Sequence, residues 1–246
     1  MASSPRMTVP EARRVPELAR FRPRRLKLPF AGRTLSMVVP ASPVDVLQRN
    51  PRLDPDRQPY WAEIWPASVG LARLLMRGPD LGGTTVLDVG CGLGLAGIAA
   101  GVRGARVTFG DREPDALAFA RFNAERNGVP QPTLLLMDWT RRLPEGPFDR
   151  MLLADVTYAE QNHAALLRLI DYALAPDGAA IAADPFRAGG DVFAAAAARR
   201  FCCRELHADC WFDGARVPVR FVAIARSDAA CERALAQRTR VEAGGR

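Results

Sequence analysis

The residues with the clearest chemical use are aspartates spaced along the middle of the chain, the first of them beside a run of glycines. The stretch "VLDVGCGLGLAG", residues 86–97, passes from an apolar β-type tripeptide into Gly90, Gly92, Gly94 and Gly97, with the small Cys91 inside the run. Glycine permits a tight turn and lets the backbone approach a ligand with no Cβ in the way. Such a turn commonly opens a helix whose unpaired N–H groups attract anionic or polar ligand groups. Read from Gly92, the run also fits the dinucleotide pattern G-x-G-x-x-G. Asp88, inside the strand just before the turn, argues against that ligand. A pyrophosphate repels a nearby carboxylate, whereas a ligand with a cationic amino-acid end welcomes one. Further aspartates follow at 111, 138 and 155, with Trp139 after the second of these and Tyr158 three residues past the last.

Hydrophobic patterning supplies an element to carry each of these residues. "TTVLDVG" (84–90) reads as a strand leading into a helix over 94–102, and "ARVTFGD" (105–111) as a strand leading into a helix over 114–127. The second helix opens on Pro114 and closes at Asn127-Gly128. Strands are expected at 133–139, 148–155, 178–184, 202–208 and 217–226, with helices at 159–174 and 191–200. Near-continuous apolar strands alternating with helices imply an α/β fold: a Rossmann-like, seven-stranded, mostly parallel sheet covered by helices on both faces. The last two strands have no helix between them and are expected to pair antiparallel at one edge. Asp111, Asp138 and Asp155 then fall at three successive strand ends, where open α/β sheets bind ligands. Singly, a strand-end aspartate is as well explained as a turn or cap residue.

The rest of the chain divides by composition. Residues 1–29 hold five prolines among arginines and are expected to form a disordered arm. Residues 30–83 contain a hairpin around Ala31-Gly32, a turn-rich connection and a helix with Pro66 at its start. The core spans 84–226, and 227–246 is a tail. The net charge of +7 sits at the ends, +7 in residues 1–33 and +2 in 226–246, leaving the body at −2. Direct nucleic-acid binding is therefore not expected. There is no apolar run long enough to span a membrane and no apolar region in the first thirty residues, so neither a membrane anchor nor a secretory signal is expected. Five cysteines without framework spacing suit a reducing, cytoplasmic setting. Cys203, His207 and Cys210 match no zinc spacing, so no metal is expected.

A ligand with an ammonium, a sulfonium and no phosphate answers to Asp88, and S-adenosylmethionine is such a ligand. "VLDVGCGLG" resembles motif I of the class I, seven-strand S-adenosylmethionine-dependent methyltransferases, and the resemblance covers residues 60–226. It implies that Asp88, Gly90, Cys91, Gly92 and Gly94 hold the cofactor. By the same resemblance Asp111 accepts the ribose hydroxyls, Asp138 accepts from the adenine amino group, Trp139 packs on the adenine ring and Asp155 faces the methionine end. "ADVTY" (154–158), with no proline, differs from the Asn/Asp-Pro-Pro-Tyr/Phe of enzymes that act on base amino groups. It is similar to the Asp-x-x-Tyr/Phe segment of the protein-lysine methyltransferases that include the electron-transfer flavoprotein β-subunit enzyme. "YWAEIWPASVGLARLL" (60–75) and "ADPFR" (183–187) resemble further segments of that family, which implies that Trp65 lies near the cofactor and that residues 30–83 close its site. The expected partner is a protein bearing a lysine, acted on by a monomer, with Asp155 and Tyr158 orienting and stabilising the amine. Related enzymes acting on nicotinamide or other small amines leave the acceptor open. Asp184 and Arg187 are open between a mutual ion pair and a substrate contact.

Overall fold

The computed structural model describes residues 16–30, 32–49 and 58–237. Seven strands form one sheet: β3 (Thr85–Val89), β4 (Arg106–Asp111), β5 (Thr133–Leu136), β6 (Phe148–Ala154), β7 (Leu174–Asp184), β8 (Cys202–Phe212) and β9 (Ala215–Ala225). Their spatial order is β5-β4-β3-β6-β7-β9-β8. β5, β4, β3, β6 and β7 run parallel, and β9 inserts antiparallel between β7 and β8. The expected antiparallel edge is thus a strand insertion. β8 and β9 also run longer than their apolar patterns, because Asp213 and Gly214 take left-handed backbone conformations and turn the chain within two residues.

Alternate strand residues point to opposite faces, and each face has its own core. Val86, Phe109, Leu152, Ile181 and Phe221 pack on one side with α3 (Pro66–Arg77), α4 (Leu95–Val102) and α5 (Pro114–Arg126). Leu87, Val89, Met151, Leu153, Val222 and Ile224 pack on the other with α6 (His163–Ala173) and α7 (Ala188–Ala198). His163 belongs to that second layer, buried, its ring edge-on to Phe193 and its Nε2 at 2.8 Å from the Thr157 carbonyl.

The N-terminal arm differs from its expected disorder, and the tail carries a helix. Residues 1–15 and 238–246 lie outside the described residues, but 16–29 are packed: α1 (Pro16–Ala19) leads into β1 (Arg24–Phe30), which pairs with β2 (Arg33–Val39) in the expected hairpin. Leu18 and Phe21 are fully buried. Prolines stopped a long helix there without preventing a short helix and an edge strand, both of which tolerate proline. After the hairpin, α2 (Pro43–Arg49) forms where only turns were expected; the rest of that turn-rich connection, 50–57, lies outside the described residues. In the tail, Ser227 caps α8 (Asp228–Leu235), accepting from the Ala230 N–H, and Ala230 and Cys231 are buried against β8 and β9.

Candidate active site

The glycine run leaves the end of β3 through left-handed backbone conformations at Gly90, Gly92 and Gly94, the last of which caps α4. Three glycines of the run, at 90, 92 and 97, also leave a side chain little or no room. A Cβ on Gly90 would lie 2.9 Å from Val156, one on Gly92 3.2 Å from the Trp61 carbonyl, and one on Gly97 2.5 Å from Phe109. Two buried aspartates brace the turn. Asp88 Oδ2 accepts the Gly97 N–H at 2.8 Å. Asp111 accepts from the Gly92 N–H at 2.9 Å and, with its other oxygen, from the Glu113 N–H at 3.0 Å. Burial drives the carboxyl of Asp88 up to about 7 and that of Asp111 to about 6, against hydrogen bonds that pull the other way.

Asp88, Gly90, Cys91, Gly92, Asp111, Trp139 and Asp155 line one open cleft, together with Trp65. Asp138 lines an adjoining cleft instead, where its Oδ1 accepts from both the N–H and the hydroxyl of Thr140. Those bonds, led by the hydroxyl, hold its carboxyl below the ordinary range. Trp139 borders both clefts and packs its ring edge toward Gly90.

Beside the main cleft, Tyr60, Trp65, Asp155, Tyr158 and Arg187 enclose a smaller pocket. Its three aromatic rings meet edge to face, Tyr60 against Trp65 at 5.9 Å and against Tyr158 at 5.7 Å. Tyr60 and Tyr158 remain about half exposed, at 50% and 46%, so the pocket opens outward. Asp155 takes a left-handed backbone conformation at the end of β6. Its carboxylate receives two bonds from Arg187, Nε at 2.8 Å and Nη2 at 3.0 Å. The guanidinium of Arg187 lies 5.8 Å from the centre of the Trp65 ring. Asp184 is not the ion-pair partner of Arg187: it accepts only the Arg187 backbone N–H, at 3.0 Å, and its charge is met by the buried Arg220 at 3.1 Å.

The methyltransferase domain family matches residues 80–211. This chain belongs to it. Among its relatives is the protein N-lysine methyltransferase METTL21A of Danio rerio, 35% identical over 158 residues that cover 60% of this chain and 72% of the relative. The electron transfer flavoprotein beta subunit lysine methyltransferase of Danio rerio is 37% identical over 113 residues, which span 45% of this chain and 43% of that protein. The solved structure of SMU.776, a candidate methyltransferase complexed with SAH, superposes with a TM-score of 0.56 at 16% identity, over 82% of this chain and 56% of that one. A candidate O-methyltransferase from Nostoc punctiforme PCC 73102 gives 0.54 at 18%, over 68% and 61%. These two likenesses speak for the fold alone.

Four residues of the methyltransferase site escaped the sequence reading. Tyr60 carried no motif of its own beyond its place ahead of Trp65. Arg220 lies in an apolar strand, where its one charge was the available signal; it pairs with Asp184 across the β7–β9 ladder and with Asp191. Gly189 and Gly190 open α7, where a Cβ would lie 2.6 Å from the Tyr158 carbonyl and 2.6 Å from Arg220, respectively. The doublet lets α7 sit against both the Asp155–Tyr158 segment and the buried ion pair.

Proposed function

We propose that this methyltransferase binds S-adenosylmethionine in the glycine-turn cleft and methylates a lysine side chain of a protein, presented through the pocket of Tyr60, Trp65 and Tyr158. The observation that carries the reading is that pocket: three aromatic faces and a carboxylate, next to the cofactor cleft and open at its mouth. Aromatic faces and a carboxylate suit an amine that becomes cationic. An outward-opening pocket suits a chain projecting from a large body better than a small molecule that must be enclosed.

The residues present fit the cofactor. Asp111 keeps lone pairs beyond its two backbone bonds and would accept from the ribose. Asp88 puts a second carboxylate behind the turn, and Trp139 offers a flat apolar wall. The indole N–H groups of Trp61 and Trp139 are buried without an acceptor among the described residues, leaving polar donors for a ligand to satisfy. When bound, S-adenosylmethionine supplies an electrophilic methyl on a sulfonium, which an amine lone pair takes while the S–C electrons stay on sulfur. Asp155 would accept an N–H from the amine, aiming its lone pair. The rings of Tyr60, Trp65 and Tyr158 would meet the positive charge that grows on nitrogen. The five cysteines are free, which suits a reducing compartment such as the cytoplasm.

The test is labelled methyl transfer from S-adenosylmethionine into a dialysed cytosolic extract, separated into protein and filtrate. Label in a protein band supports the proposal. Label in the filtrate of an undialysed extract, with none in protein, would mean a small-amine acceptor.

A further inference from the structure

Arg187 stands at a chemically awkward place for an enzyme that receives lysine. A lysine at neutral pH carries a proton and has no lone pair to offer, with an ordinary value near 10.4. A pocket built only to attract ammonium would hold that proton on. Here the one carboxylate in the pocket is already committed, bidentate, to a guanidinium.

We infer that Arg187, clamped to Asp155, serves to keep the incoming lysine amine unprotonated. The inference rests on the lysine-methylating reading and deepens it. The pocket's own lining holds one carboxylate and one guanidinium, Asp155 and Arg187, and so carries no net charge. Asp155 and Tyr158 follow β6, Tyr60 comes from the turn before α3, and Asp184 and Arg187 follow β7. Arg112, after β4, adds a second positive charge whose influence reaches Tyr158. Asp184 shares the buried Arg220 with the more exposed Asp191, outside this pocket, and Glu63, Asp88, Asp111 and Glu113 line the cofactor cleft rather than this pocket. An ammonium entering would meet the Arg187 charge without an uncompensated partner, whereas a neutral amine loses nothing and gains an acceptor in Asp155.

Arg187 is fixed for this task from two sides. Its side chain grips Asp155, and its backbone N–H is tied to Asp184, which the buried Arg220 holds in turn. The Asp155 bonds hold the guanidinium above its already high value, so it stays charged at every pH of interest. The lysine proton leaves to solvent through the open mouth. Lowering the basicity of the amine also lowers its nucleophilicity, but with a slope below one. Near neutral pH the gain in unprotonated amine therefore wins.

The experiment is the pH dependence of the transfer rate at saturating S-adenosylmethionine and saturating acceptor, the acceptor being the protein recovered from the labelled band. Such a profile reports the protonation of the bound complex. Removing the charge in Arg187→Met should move the ascending limb up by about one to two pH units, so that the rate near pH 7 falls roughly 10- to 100-fold and recovers in alkali. Arg187→Gln, which keeps hydrogen-bond donors toward Asp155, should shift it in the same direction. Arg187→Lys should leave the limb where it is. The sulfonium charge is common to all variants and cancels in the comparison. Melting temperature and calorimetric affinity for S-adenosylmethionine identify a variant that has merely unfolded. An unmoved limb in Met and Gln variants that fold, or a loss equal at every pH, overturns the inference. If the wild type labels no protein at all, the underlying reading fails first and this one with it.

Discussion

Asp88 and Asp111 are buried carboxyls whose donors do not offset the loss of water. Each has a folded value raised above the ordinary 3.8, so each binds its proton more tightly folded than unfolded. Their contribution to stability is whole below about 4 and is lost as the pH rises through about 6 for Asp111 and about 7 for Asp88. The ligand-free enzyme should therefore be less stable at about pH 8 than the same fold with Asp88→Asn, by on the order of a few kcal/mol, and the gap should close toward about pH 4. Thermal melts of both proteins across that range check it; a gap that widens on acidification would reverse the assignment. Asp111→Ala removes the carboxylate proposed to hold the ribose and should weaken S-adenosylmethionine binding by about 1–3 kcal/mol, roughly 5- to 150-fold, measured by calorimetry. For the transfer itself, Asp155→Asn should slow single turnover at saturating cofactor by roughly 10²–10³. Tyr158→Phe should cost about tenfold, as expected for a hydroxyl lost while the ring face remains. Wild-type turnover in both variants would leave these residues as pocket walls only.

At the scale of elements, the N-terminal segment holds up the cofactor cleft. Phe21 meets Trp61 at 5.8 Å and Phe119 at 5.9 Å, and the Trp61 backbone faces Gly92. The hairpin behind it is stitched down by Asn123 on α5 and by Asn127, which caps the end of that helix. Asn123 bonds both the N–H and the carbonyl of Val38 and also the Leu93 carbonyl in the glycine loop, while Asn127 does the same for Ser36. Phe21→Ala should cost about 3–5 kcal/mol by leaving a cavity. Asn123→Ala should cost about 2–4 kcal/mol by stranding a buried N–H and two carbonyls. Denaturant titrations measure both, and a Phe21→Ala protein as stable as wild type would return the segment to the dispensable arm its composition suggests. Apolar runs and glycine punctuation made the seven strands, their helices and the hairpin legible. Composition misread residues 16–29 and left 228–235 without an assigned element, because burial there comes from single residues such as Leu18, Phe21 and Cys231 rather than from a periodic run. The strand-end aspartates were legible as a set, since strand ends converge. Their partners were not: pairing Asp155 with Arg187 depends on β6 lying beside β7, and pairing Asp184 with Arg220 on β9 inserting beside β7, and no local pattern announces either.

The whole molecule brings the glycine-turn cleft and the aromatic pocket together at the carboxyl ends of the sheet, with Tyr60 and Trp65 lining both. The proposed destination of the methyl is the side-chain nitrogen of a lysine in a protein. Acid hydrolysis of the labelled protein band, followed by chromatography of its amino acids, measures this directly. The expected result is label in Nε-methylated lysine, lost in Asp155→Asn under conditions where that variant still binds S-adenosylmethionine. Label in arginine, histidine or a base-labile ester, or lysine label that Asp155→Asn leaves untouched, would contradict it.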